Sequence, residues 1–183
     1  MYGHTGKYAL RAPGFTLIEL LAVLGITSIL VTHVTPAFQD LIARQKADSV
    51  SMGVYRQLGL ARSTASRVNK TLTFCGSHDG RRCTKNNISR FILFDDRDRN
   101  GHFDSGERLY QQSDLAARGN TLSLKASLGQ NYIEFNGRGG TKQKGSFIYC
   151  PRNKNAKHIR KISVSMVGRA YIRRPSEHLP LSC

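Results

Sequence analysis

The sequence predicts an α+β protein, with one long N-terminal α-helix packed on a C-terminal domain of two small antiparallel β-sheets. Three observations carry that expectation. From Phe15 to Val68 apolar residues first run almost unbroken and then recur at helical spacing, with no strong strand signal. After Asn69-Lys70 the pattern shortens to brief β-branched or aromatic runs. Gly, Asn, Asp and Ser separate those runs, as turns require.

The chain opens on a short basic leader that ends at Gly14. The stretch from Phe15 to Val31 is apolar but holds one carboxylate, Glu19. A charge near a hydrocarbon core costs roughly 2.5–3.5 kcal/mol on insertion scales, so such an acid reads as functional. A secretory signal would place a small-residue cleavage site after the apolar run, but Val31-Thr32-His33-Val34-Thr35-Pro36 stands there. A plain anchor would gain nothing from a glutamate. His33 interrupts the aliphatic run and fits a membrane interface.

The segment Gly14-Phe15-Thr16-Leu17-Ile18-Glu19-Leu20 resembles the processing site of type IV prepilins and type II secretion pseudopilins. The resemblance implies a leader over 1–14, cut by a prepilin peptidase between Gly14 and Phe15, with methylation of the new N-terminus. Glu19 would pair with the N-terminal ammonium of a neighbouring pilin. It also implies a single pass through the bacterial inner membrane before assembly, then the periplasm or cell surface in a pilus or pseudopilus.

The helix is expected in two halves: 15–35 for the membrane or filament core, and 36–68 as an amphipathic half. Pro36 marks the junction, where proline removes one helical hydrogen bond and favours a kink. Beyond it Ala43, Ala47, Val50, Val54, Leu58, Ala61, Ala65 and Val68 fall on one face. Arg44, Gln45, Asp48, Arg56 and Arg67 fall on the other. Gly53 and Gly59 weaken this half. At about 1.5 Å per residue the whole helix is on the order of 80 Å long, which suits a polymerising subunit better than a small globule.

The domain 69–183 supplies the strands. Thr71–Phe74, Arg90–Phe94, Arg108–Tyr110, Tyr132–Phe135, Ser146–Tyr149 and Lys161–Met166 are the strand-like runs. Ile162, Val164 and Met166 alternate with Ser163 and Ser165, the period of a half-buried strand.

Four cysteines, Cys75, Cys83, Cys150 and Cys183, form an even set in an exported chain, so disulfides are expected. Three pairings are possible. Cys75–Cys83 with Cys150–Cys183 is favoured, because each bond closes a local segment or pins the C-terminus. Zinc is the alternative, but neither CxxC spacing nor a histidine pair supports it.

Three local patterns resemble the GspH, FimT and FimU group of minor pilins and pseudopilins. They are Leu60-Ala61-Arg62-Ser63 followed by Asn69 and a strand ending in Cys75, the segment from Cys75 to Cys83, and Ser163-Val164-Ser165 leading to Gly168-Arg169 and a final Cys183. The resemblance implies a type IV pilin-like fold and a non-catalytic subunit at low copy near a filament tip. FimT-type members imply DNA capture in natural transformation through a basic Gly-Arg-x-Arg motif. Here Gly168-Arg169-Ala170-Tyr171-Ile172-Arg173 displaces the second arginine by two residues, which keeps strand parity.

Charge points the same way without the family. The formal charge is +16, and removal of the leader, with Lys7 and Arg11, lowers it by two. From Phe135 to Ser176 there are eleven basic residues and no acid, whereas Asn69 to Glu134 holds ten basic and eight acidic. Such segregation predicts an anionic partner, DNA first. Arg169, Arg173 and Arg174 are the leading DNA-binding residues, with Arg160, Lys161, Lys157, Lys154 and Arg152 next. Tyr171 and His158 are candidates to stack on bases. The alternatives are a solvated face, an acidic pilus partner or acidic lipid, and with them a structural or priming subunit, or a secretion pseudopilin, that has no DNA role.

One further motif stands in the acidic part. Residues 96–107 match the twelve-residue EF-hand loop template. Asp96, Asp98, Asn100, the carbonyl of His102 and Glu107 would hold calcium, with Gly101 at the sharp turn. The flanks read as strand, Arg97 and Arg99 dilute the charge, and a capped Asp/Asn/Gly turn is the competing reading. The lone histidines and the adjoining Asp95 and Asp96 form no catalytic constellation, and no enzyme is expected.

Overall fold

Thr16 starts the helix. Its Oγ1 accepts a hydrogen bond from the Glu19 N–H at 3.3 Å, the N-cap interaction of a Thr-x-x-Glu capping box. The computed structural model describes residues 14–115, 121–176 and 181–183. Residues 1–13, and so nearly all of the expected leader, lie outside the described residues. The chain divides into two units, Met1–Leu41 and Ile42–Cys183.

Helix α1 spans Leu17–Val68 and includes Pro36. Its part in the first unit is mostly apolar, with Leu17, Leu24, Ile29 and Phe38 each more than half exposed. An 18-residue window there has a mean hydropathy of 2.1, long and apolar enough to cross a membrane. The hydroxyls of this stretch stay inside the helix. Thr27 donates to the Val23 carbonyl at 2.8 Å and Thr35 to the Val31 carbonyl at 2.7 Å. Their polarity is thereby hidden from an apolar surrounding.

In the second unit the remaining part of α1 packs on two sheets. Ala47, Val50, Val54, Leu58, Ala61 and Ala65 are all buried, the stripe read from the sequence. The first sheet has the order β3-β2-β1-β5, from Leu109–Asp114, Arg90–Phe94, Leu72–Ser77 and Ile133–Phe135. The second has the order β4-β6-β7-β8, from Thr121–Ala126, Gly145–Cys150, Arg160–Val164 and Ala170–Arg173. Every pairing is antiparallel. The sheets meet at an aromatic cluster: Phe74 stacks on Phe91 at 5.2 Å between centroids, and Phe147 meets Phe91 edge-on at 5.4 Å.

Three strand assignments differ from expectation, and one is β8, which lies beyond the last expected run. β4 was not foreseen, although Thr121-Leu122-Ser123-Leu124-Lys125 alternates. The strand expected over Lys161–Met166 stops at Val164, because Ser165–Gly168 turns the chain into β8. The Gly168 N–H donates to the Ser165 carbonyl at 2.8 Å, and φ of Gly168 is +73°. A Cβ at 168 would sit 1.9 Å from the Gly139 carbonyl oxygen, so the turn is open to glycine alone. Cys75–Cys83 and Cys150–Cys183 are both bonded, with Cα atoms 5.5 and 5.8 Å apart, and no thiolate is left for zinc.

Candidate nucleic-acid interface

The period of two along a strand sorts the basic third into two faces. Phe147, Tyr149, Ile162, Val164 and Ile172 point to the core. The residues between them lie on the opposite face, where Ser163 and Ile148 are still buried, Ile148 packing with Cys150, Ile159 and Leu181. In the pairing register, Lys125 lies opposite Ser146, Ser146 opposite Ser163, and Ser163 opposite Tyr171. One residue pair along, Ser123, Ile148, Lys161 and Arg173 form a second row. Strands about 4.8 Å apart give each row a span of roughly 14 Å. Arg173 also lies over the Tyr171 ring, 5.2 Å from its centroid. Arg169 flanks this face, its carbonyl accepting from the Ser165 N–H at 3.0 Å.

Parity also corrects the expected set. Arg160 shares the inward face with Ile162 and Val164 and is 2% exposed. Its Nε donates to Asp48 Oδ1 at 2.8 Å, and its Nη1 donates to the carbonyls of Lys157 and Ile159, both at 2.9 Å. Buried and already bonded at Nε and Nη1, Arg160 cannot hold a phosphate. Arg174 stands 3.6 Å from the same carboxylate, so its charge is partly spent. Burial pushes the Asp48 carboxyl up, but the hydrogen bond and charge of Arg160, then Arg174 and Arg44, outweigh it and hold the group below the usual carboxylate range. His158 is 3% exposed and cannot stack on a base. Lys154, Lys157 and Arg152 are exposed on the loop between β6 and β7, and Lys161 is half-buried. Lys125 joins this face from β4, a strand outside the expected runs.

The acidic loop joins β2 to β3, and so sits in a hairpin rather than between helices. Asp96, Asp98 and Glu107 each bring an oxygen within 4.8 Å of the others. The carboxylates also bind their own loop. Asp96 accepts from the N–H groups of Asn100 and Gly101, both at 3.1 Å, and Glu107 from those of Arg97 at 2.8 Å and Asp104 at 3.1 Å. Asn100 Oδ1 accepts from the His102 N–H at 2.6 Å. Arg97 and Arg99 turn away, toward Asp95 and Glu134, each at 3.9 Å. Burial, and then the charge of Glu107, raise the Asp96 carboxyl against the pull of the Gly101 amide.

A helix with a processing-type N-terminus and a two-sheet domain define a subunit of the type IV pilin class. The profile of the prokaryotic N-terminal methylation motif matches residues 11–32. The profile of the Type II transport protein GspH family matches residues 52–168, well over half of the chain. The chain belongs to that family. It is similar to the type IV minor pilin FimU of Pseudomonas aeruginosa strain PAO1 in two crystal forms. One has a TM-score of 0.55 at 20% identity over 76% of this chain and 96% of that one; the other has 0.51 at 20% over 74% and 98%. The minor pseudopilin EpsH of the Vibrio cholerae type 2 secretion system has a TM-score of 0.47 at 16% identity, over 72% and 99%. No match was found among curated proteins. The chain is thus a minor pilin or pseudopilin of a type IV pilus or type II secretion system, anchored by its apolar helix. Pilins and pseudopilins are structural proteins that assemble with one another, and this one is not an enzyme.

Proposed function

We propose that this subunit works as a FimT-like minor pilin at or near a pilus tip, where the outer face of its second sheet binds DNA without reading sequence, for uptake in natural transformation. The observation that carries the reading is the pairing of Lys161 with Arg173, Cα partners across the β7–β8 ladder. Like charges directly opposite are destabilising, and a polyanion lying across both offsets the repulsion. Lys125, Tyr171 and Arg169 extend the face on either side. Exposed cations neutralise phosphates, and Tyr171, held under Arg173, offers a ring to an unpaired base.

The test is anisotropy of labelled DNA against the full chain in zwitterionic nanodiscs. Sequence-insensitive binding that falls steeply with salt supports the reading. No binding at moderate salt leaves a structural or priming subunit, or a secretion pseudopilin, with a basic docking face.

The N-terminal segment supports maturation by a prepilin peptidase between Gly14 and Phe15, with Glu19 receiving a neighbour's ammonium and the helix held in the inner membrane before assembly. A second reading concerns the loop 96–107. Three converging carboxylates, with both nearby arginines directed elsewhere, favour a weak calcium site held by Asp96, Asp98, Asn100, the His102 carbonyl and Glu107.

A further inference from the structure

One end of the second sheet carries apolar tips that the domain does not use. β4 and β7 finish there, and β6 and β8 begin. The segment Ser127–Gly129 follows β4, residues 136–144 lead into β6, and residues 165–169 connect β7 to β8. These connections are stitched together. The Ser127 N–H donates to the Lys144 carbonyl at 2.9 Å, and the Thr141 N–H to the Met166 carbonyl at 2.8 Å. Leu128 is 82% exposed, Val167 62% and Met166 47%. Two strand spacings separate Leu128 from Met166, roughly 10 Å.

Leu128 is the most unusual of the three. Its φ is +61°, in the left-handed region that turns normally give to Gly, Asn or Asp. A leucine there is conformationally disfavoured and gains no burial, so folding does not account for it. Arg138, Lys144 and Arg169 are exposed on the same connections and make no ion pair among the described residues. Lys142 differs, standing 3.7 Å from Glu134 Oε2. The connecting segments themselves contain no Asp or Glu.

We propose that this end of the domain docks on an anionic phospholipid bilayer. Leu128, Met166 and Val167 enter the boundary between headgroups and acyl chains. Arg138, Lys144 and Arg169 meet the lipid phosphates around them. An anionic surface attracts the cations, and apolar area leaving water adds to the binding. A nucleic acid suits these tips less well, since single strands stack on rings and these three side chains are aliphatic. A pilin partner would have to supply both an apolar patch and a ring of acids.

The full chain, held in zwitterionic nanodiscs, is offered fluorescent vesicles of phosphatidylcholine alone or mixed with phosphatidylglycerol. Capture is expected for the anionic vesicles only. The pair Leu128→Asn and Val167→Ser should lower that capture at least about tenfold, the scale set by burying one apolar side chain. Asparagine suits the left-handed backbone at 128, so melting temperature and DNA affinity should hold. Arg138→Gln with Lys144→Gln should weaken capture as well. The proposal is overturned if anionic vesicles are not captured, or if the apolar pair leaves capture unchanged, since the attraction is then diffuse charge. Loss of DNA binding with vesicle capture intact would also overturn it, because the tips would then belong to the nucleic-acid face.

Discussion

Arg160 of β7 reaches back 112 residues to Asp48 of α1, and its Nε lies 2.8 Å from the Asp48 Oδ1. The arginine side chain is 3% exposed and the aspartate 34%. The pair ties the helix to the sheet behind the basic face. Asp48→Ala should destabilise the protein by about 3 kcal/mol, the low end for a broken buried pair, since Asp48 keeps contact with water. Chemical denaturation measures this, and a change within experimental error would show that water or a neighbour replaces Asp48 at no cost. Arg160→Met should be far milder, because it removes the buried charge along with its partner's bond.

DNA affinity should follow parity. Lys161→Gln with Arg173→Gln should weaken binding and flatten the log–log salt dependence by about 0.9 for each phosphate that is no longer neutralised. Arg160→Met should leave affinity unchanged in protein that is still folded. Arg97→Gln with Arg99→Gln should also do little, since both arginines face acids. Equal losses in all of these variants would mean attraction by net charge, with no defined face.

Acid stability should depend on Asp79. Its Oδ1 accepts the N–H groups of Arg82 at 2.8 Å and Arg81 at 2.9 Å, and these bonds hold its carboxyl well below the usual carboxylate range. The native pKa is lower than the unfolded one, near 3.9 for aspartate, so the stabilisation is full above about pH 4 and is lost as pH falls further. Asp79→Asn should lower stability at neutral pH, where the carboxylate contributes in full, and change little in acid, so the acid limb flattens. A melting profile against pH with the same slope in both proteins would assign the acid lability elsewhere.

Calcium should raise the melting temperature only at millimolar concentration, and Glu107→Gln should abolish the shift. No shift at that concentration leaves residues 96–107 as a turn capped by its own carboxylates.

At the N-terminus, the mature protein from its native host should begin at Phe15 and carry one added methyl, which intact mass shows directly. Glu19→Gln keeps the bond from the residue-19 N–H to Thr16 Oγ1 and removes only the charge. Impaired filament incorporation of that variant supports pairing with a neighbour's ammonium. Normal incorporation would show that the carboxylate is not needed for assembly.

Much of the fold is legible in the chain alone, and the rest is hidden for identifiable reasons. The buried helix stripe follows directly from steps of three and four. Lys161 and Arg160 stand side by side, yet their fates are readable too: the alternation of Ile162 and Val164 with Ser163 already assigns Arg160 to the core and Lys161 to the surface. Reading the basic residues as a charge count, rather than as strand positions, hides that difference. The partner of Arg160 is not legible, because Asp48 lies on a helix whose rotation against the sheet is set by packing. β4 escapes notice because Leu122 and Leu124 alone form a weak period, and Lys125 escapes with it.

Gly168 turns on the bare backbone of Gly139, and that close approach decides which parts of this surface can vary. Any replacement at 168 would break the hairpin, so this position is closed to drift. Arg169, Tyr171 and Arg173 stand on the far side of the same hairpin, and their exchange leaves the turn untouched. A lineage can therefore rewrite the chemistry of the outer face one substitution at a time, on a mount that does not change.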